Sequence, residues 1–153
     1  MELPLFEQTG ELARALVAAD LGELRFRAHR RGVKVWFGPA KPSRFHFEAQ
    51  LIPNHLAPDG AGSDDVTIEV GFHAEHGDER RNEAVLERLR AAEKTWRRAL
   101  GEHAVAGPFL GNDHWCRLSE TWTEADTDDP DLAFELASRL ADYIQALQPL
   151  LEE

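Results

Sequence analysis

The chain has 153 residues, a length typical of one domain, and its 42% hydrophobic content is enough for a buried core and excludes wholesale disorder. The formal net charge of −11 disfavours general nucleic-acid binding, because contact with phosphates favours a positive field. The sequence shows no apolar run long enough to cross a bilayer and no signal-peptide pattern. A single cysteine, Cys116, excludes an internal disulfide framework. We therefore expect a cytoplasmic protein without membrane contact, folded as a single domain over residues 1–153.

The first half of the chain predicts one helix followed by four strands. Leu12, Leu16 and Ala19 recur at helical spacing within residues 9–21, where Thr9 is a candidate N-cap. Apolar and polar residues then alternate with the period of a strand in four segments. These segments are 23–30, 33–38, 44–52 and 66–74. Residues 54–65 are rich in Pro, Gly, Asn and Asp and predict an exposed loop before the last of them.

The second half predicts a helix, two short strands and a final helix. An apolar stripe runs through residues 80–100, and Gly101 is placed to end that helix. Two short strands are expected at 104–111 and 114–122. An acidic loop follows, in which Asp129 is a candidate N-cap for the last helix. The predicted order is α-β-β-β-β-α-β-β-α. It indicates an α+β protein of two layers, with an antiparallel sheet of about four strands, a later two-strand hairpin and three helices.

Two resemblances accompany this order. The segments VTIEVGFH, NEAVLERLRAAEKTWRRALG, CRLSETW and LASRLADYIQALQPLLEE resemble a small uncharacterised bacterial domain that is sometimes attached to restriction-endonuclease-like proteins. That resemblance covers about the last 90 residues and carries over no catalytic residue. The order of elements also resembles the type III secretion chaperone-like fold, whose members are small, acidic, dimeric binding proteins. The first resemblance implies a bacterial protein. The second is one of topology alone, which does not fix function, and it implies a homodimeric binding protein.

Histidine and glutamate occupy one side of two predicted strands. In residues 44–52, His46 and Glu48 face away from the phenylalanines, and in residues 66–74, Glu69 and His73 face away from the aliphatic residues. If the two strands are neighbours, all four side chains share a surface. Two imidazoles and two carboxylates are a sensible ligand set for zinc or another divalent ion, and they are equally what an exposed sheet face contains. We expect the exposed face, with a metal site as the alternative.

Other combinations of residues indicate function less well. Glu48 is followed by Gln50 where a metal-dependent nuclease of the endonuclease type has a lysine, so nuclease activity is not expected. His73 and His76, and separately His103 and His114 with Cys116, lack a tight ligand motif, and Cys116 is expected to be a small buried residue. No nucleophile motif or phosphate-binding glycine loop is present.

A tryptophan among polar residues is the last sequence feature that bears on function. Strand alternation places Trp36 on the same side as Lys34, which suits a docking surface. The sequence thus predicts a non-enzymatic protein-binding or assembly module without a cofactor. Its partner is another protein or a second copy in a homodimer, and the predicted contact residues are Trp36, His46, Glu48 and Glu69. The alternative is a divalent-metal-binding protein or a metal-dependent, hydrolase-like enzyme that uses His46, Glu48, Glu69 and His73.

Overall fold

One antiparallel sheet of six strands carries the fold. The computed structural model describes residues 3–53, 56 and 66–152. The strands are β1 (Leu24–His29), β2 (Gly32–Phe37), β3 (Phe45–Ile52), β4 (Val66–Ala74), β5 (Val105–Phe109) and β6 (Asn112–Ala125). Their order across the sheet is β1-β2-β3-β4-β6-β5. The predicted α+β class is confirmed, and the later hairpin joins the first four strands in the same sheet through β6.

Four helices complete the described structure. They are α1 (Leu5–Leu16), α2 (Glu79–Ala91), α3 (Glu93–Leu100) and α4 (Leu132–Leu151), with a short 3-10 turn at Ala19–Leu21. Their apolar residues form one core with the side chains of one sheet face, among them Val35, Phe47, Val70 and Leu118. No helix in the described residues has the length and apolar character that crossing a bilayer requires. The predicted loop 54–65 lies outside the described residues except for Leu56.

The first helix begins earlier than predicted. Thr9 is buried inside α1, where its hydroxyl donates to the carbonyl of Leu5 at 2.8 Å instead of capping a helix end. The buried side of α1 carries Phe6, Gly10 and Ala13, while Leu16 of the predicted stripe is exposed. Close packing explains why the side of α1 with Gly10 faces the sheet, because a Cβ at Gly10 would lie 2.4 Å from the ring of Phe26 on β1.

The helix predicted at 80–100 is two helices that meet at Ala92. Ala92 has φ −100° and ψ 16°, and the Leu89 carbonyl accepts hydrogen bonds from the Ala92 amide at 3.1 Å and from the Trp96 indole at 2.6 Å. These donors take the place of the regular helical donor to the Leu89 carbonyl, and the helix is interrupted at Ala92. The last helix also departs from prediction: Asp129 accepts from the Asp131 amide, and Asp131 is the N-cap of α4.

Candidate metal centre

Strands β3 and β4 bring the four predicted polar residues onto one face of the sheet. The two strands are direct neighbours, and His46 pairs with His73 across them. Glu48 and Glu69 occupy adjacent rows of the same ladder, opposite Gly71 and Gln50. Because paired residues of antiparallel strands point to the same side, these side chains share the face that lies away from the helices. The condition stated from the sequence, that these two strands are neighbours, is therefore met.

The expectation that this face is open to solvent is wrong. His46, Glu48, Glu69 and His73 are between 0% and 4% exposed. The β5–β6 hairpin covers part of the face, since the Phe109 ring packs edge-on against His73 with centroids 4.7 Å apart. Strand alternation determines which side of a sheet a residue takes, whereas the cover on that side comes from elements distant in sequence.

Glu75 belongs to the same group of side chains and was not among the predicted site residues. Its amide donates to the Arg44 carbonyl at 2.8 Å, which continues the β3–β4 pairing one residue beyond the end of β4. Glu75 therefore follows His73 by two positions and shares its face. The same alternation that selected Glu69 and His73 indicates Glu75 when the strand is extended by one residue.

The four side chains of His46, Glu48, His73 and Glu75, here called the His/Glu centre, converge on one point. The Nε2 atom of His46 lies 2.9 Å from Glu48 Oε1 and 3.4 Å from Glu75 Oε2. The Nδ1 atom of His73 lies 3.3 Å from each of the same two oxygens. One ligand atom from each residue lies within 4.8 Å of all the others. Nitrogen and oxygen thus alternate around a common centre.

The outer nitrogen of each imidazole faces an oxygen outside the centre. His46 Nδ1 lies 2.9 Å from the Ser43 carbonyl oxygen, and because a carbonyl only accepts, this nitrogen carries the proton and donates it. His73 Nε2 lies 3.0 Å from Glu69 Oε2, an ion-pair distance without the alignment of a hydrogen bond. In each histidine, the other ring nitrogen points to the centre.

Glu69 supports the centre from one side. Its carboxylate accepts hydrogen bonds from the Ser119 hydroxyl at 2.7 Å and from the Gln50 amide at 2.9 Å. These partners fix its position next to His73 and leave it outside the group of atoms that converge. Glu69, which was predicted as a ligand, thus contacts His73 from outside the centre. Glu75 is the second carboxylate of the centre in its place.

Burial and the neighbouring charges have opposite effects on the pKa values of this group. Burial alone would lower the pKa of His46 and of His73, but the surrounding carboxylates outweigh it and raise both. Burial alone would raise the pKa of Glu69, but His73, Ser119 and Gln50 lower it to about 2. The pKa values of Glu48 and Glu75 are lowered by the two histidines against the effect of their burial. The carboxylates thus favour protonated imidazoles, and the imidazoles favour ionised carboxylates.

Gly71 and Lys34 border the centre. Gly71 has φ +152°, and a Cβ there would lie 2.5 Å from the Leu118 carbonyl oxygen and 2.5 Å from Ser119 Cα on β6. Only glycine fits this position, which lets β6 approach β4 at the row of Glu48. Lys34 lies at the solvent side, with its Nζ 3.7 Å from Glu75 Oε1 and its side chain 35% exposed.

The geometry also fits a small cation. A tetrahedral ion with ligands at about 2.1 Å places neighbouring ligand atoms about 3.4 Å apart. The four nitrogen–oxygen separations in the centre, 2.9 to 3.4 Å, are close to that value, and all donor atoms lie within 4.8 Å of one another. Metal-binding histidines characteristically give their second nitrogen to a carbonyl or carboxylate, as His46 and His73 do. The arrangement can therefore hold either two protons or one divalent ion.

The remaining predicted site residues lie elsewhere or are unavailable to a partner. Trp36 is 3% exposed, and its indole donates to the Pro39 carbonyl at 2.8 Å. Cys116 is buried, as predicted. His114 approaches Glu79 at 3.1 Å on the surface. In the part of the chain that the structure describes, the His/Glu centre is the one group of three or more His, Cys, Asp or Glu side chains spaced to hold an ion.

The chain matches no model of a protein family, no curated protein and no solved structure. The two resemblances drawn from the sequence therefore stay predictions.

Proposed function

We propose that the protein binds a divalent transition-metal ion, zinc in the first place, through His46, Glu48, His73 and Glu75. The observation that carries the proposal is the convergence of four buried donor atoms within 4.8 Å of one another. Their outer partners at Ser43 and Glu69 support the same proposal, because they leave one nitrogen of each ring directed at the centre.

The chemistry of the donors favours a transition metal over calcium or magnesium. Calcium and magnesium take oxygen ligands almost exclusively, whereas imidazole suits zinc, copper, iron and nickel. Two imidazoles and two carboxylates complete the four positions of a tetrahedral zinc site. A zinc ion that cleaves a substrate keeps one position for water. The four protein donors therefore favour a retained ion over the hydrolase-like alternative.

Metal analysis of the untagged protein tests the proposal. The metal-free protein is titrated with zinc, and with cobalt(II), whose visible absorption reports tetrahedral coordination. We expect one ion per chain in the wild type. Glu48→Gln should abolish stoichiometric binding, since it replaces an ionised ligand by an amide of the same shape. Glu87→Gln, which changes an exposed glutamate on α2, is the matched control and should bind like the wild type.

Two results would contradict the proposal. One is a folded wild-type protein that takes up no stoichiometric zinc or cobalt. The other is equal uptake by the wild type and Glu48→Gln, which would place any bound ion outside the His/Glu centre.

The protein-binding interpretation stays a prediction, although the residues first predicted to contact a partner are buried. Trp36, His46, Glu48 and Glu69 are each less than 5% exposed, so they offer a partner little surface. A partner or a second copy of the chain would need another face. Light scattering across a range of protein concentrations tests self-association, and a constant monomer mass would count against the homodimer.

A further inference from the structure

Next to the His/Glu centre lies a buried arginine that forms no direct ion pair with a described residue. Arg117 on β6 pairs in register with His73 and is 5% exposed. Among the described residues, no carboxylate lies within 4.0 Å of its guanidinium, whereas Arg139, its counterpart on the helix side, lies 2.7 Å from Glu120. The charge of Glu69 stabilises the guanidinium from a greater distance, but a buried cation without a direct ion pair is costly.

Only one side of the Arg117 guanidinium is used. Its Nη1 donates to the Ser119 hydroxyl at 2.8 Å and to the Ser119 carbonyl at 3.3 Å. Its Nε is buried and has no hydrogen-bond partner among the described residues. The Nε and Nη2 protons form one edge of the guanidinium and point in parallel. Two parallel N–H groups are the arrangement with which arginine binds a carboxylate or a phosphate in bidentate fashion.

Space is present on the same face. Gly107 on β5 is the register partner of Arg117, so a side chain at Gly107 would stand beside that of the arginine. Gly107 is buried, yet a Cβ placed there meets no heavy atom of the described residues within 4 Å. The absence of a side chain at Gly107 therefore leaves room next to Arg117 for a small group.

Glu69 acts on Arg117 only at a distance. The Ser119 hydroxyl lies between the two groups, because it accepts from Arg117 Nη1 and donates to Glu69. Glu69 also lies 3.0 Å from His73 Nε2 and accepts from the Gln50 amide, so its charge is shared among several partners.

We infer that Arg117 binds a small oxyanion, of the carboxylate or phosphate type, through its Nε and Nη2 in the space over Gly107. The inference goes beyond the proposed metal site and does not depend on it. The anion accepts from the buried Nε–H, which has no acceptor among the described residues, and places a negative charge in direct contact with the guanidinium.

Nitrogen–proton correlation spectra of the arginine Nε–H groups test the inference directly. Metal-free protein in chloride buffer is titrated with acetate, bicarbonate or inorganic phosphate at constant ionic strength. We expect the Arg117 signal to shift saturably with at least one of these anions, and the comparison among them separates planar from tetrahedral ligands. The signal of Arg98, which is exposed on α3, is the internal control and should not saturate.

Two variants complete the test. The anion that saturates the Arg117 signal should also raise the melting temperature of the wild type and of Arg98→Met, and should lose this effect in Arg117→Met. Glu48→Gln should keep the anion response while it loses zinc, so the two proposals fail separately. An Arg117 signal that none of the anions shifts saturably overturns the inference, and so does a shift that Arg98 shares. The wild-type spectra decide the matter even if Arg117→Met does not fold.

Discussion

His46 and His73 face each other directly across β3 and β4, with their ring centroids 5.7 Å apart and their planes inclined by 76°. Each ring directs one nitrogen at Glu48, and each directs the other nitrogen at an oxygen outside the centre. Two histidines so close together, with pKa values raised by the same carboxylates, repel each other when both are protonated. In the proposed metal site, one divalent ion takes the place of both protons.

Zinc should stabilise the folded protein, because it binds the native arrangement of ligands and not the unfolded chain. At a free zinc concentration about 100 times the dissociation constant, we expect the free energy of unfolding to rise by about 2.7 kcal/mol. Denaturant titrations with zinc and with a chelator measure the change. Glu87→Gln should show the same increase, and Glu48→Gln none. Equal stability of the wild type with and without zinc would contradict this expectation.

Gly71→Ala should be severely destabilising. The methyl group would lie 2.5 Å from the Leu118 carbonyl oxygen, and the backbone at φ +152° is one that alanine rarely adopts. We expect a loss of at least about 3 kcal/mol, or failure to fold, from the combined clash and strain. Gly77→Ala is the control, because a Cβ there meets nothing within 4 Å, and it should change stability by less than about 1 kcal/mol. Denaturant unfolding of both variants measures the difference.

Tyr143 should resist ionisation in the folded protein. It is fully buried on α4, and its hydroxyl donates to Glu120 at 2.7 Å. Burial and the charge of Glu120 raise its pKa far above the usual 10.0. The folded state therefore keeps the phenol proton where the unfolded state loses it. This contribution to stability is complete below pH 10 and is lost as the pH rises further.

Ultraviolet absorbance follows this ionisation without interference, since Tyr143 is the only tyrosine. We expect phenolate absorption to appear only together with alkaline unfolding, as monitored by circular dichroism. Titration of the phenol near pH 10 in a chain that is still folded would show that the hydroxyl is accessible to water, against its position in the structure.

The sequence correctly predicted that the four polar residues share one side of the sheet. It incorrectly predicted that this side is exposed to solvent. The period of two in β3 and β4 places His46, Glu48, Glu69 and His73 on one face, because alternation is a property of each strand alone. Burial of that face depends on Phe109, which reaches His73 only because β6 pairs with β4 and carries β5 along. Such pairing joins residues distant in sequence, and no local pattern specifies it.

The local sequence pattern also did not predict how far the β3–β4 pairing extends or where the helix at 80–100 is interrupted. Glu75 was missed because β4 ends at Ala74 while its pairing with β3 continues through the Glu75 amide. The break at Ala92 interrupts an apolar stripe that is itself continuous, and a hydrogen bond from the Trp96 side chain accompanies it. Both features depend on hydrogen bonds made in the folded structure, whereas periodicity reports only which residues turn inward.

Glu69→Gln separates a supporting role from a ligand role. Glu69 contacts His73 on the nitrogen that faces away from the centre, so an amide in its place keeps the shape and removes the charge that orients the ring. We expect zinc still to bind at one ion per chain, with an affinity lower by about 10- to 100-fold. The cobalt(II) absorption should keep its tetrahedral character, because the four ligand atoms are unchanged. Loss of all stoichiometric binding would instead make Glu69 a ligand, as the sequence first predicted. Unchanged affinity would show that Ser43 and the packing of Phe109 orient the two histidines without it.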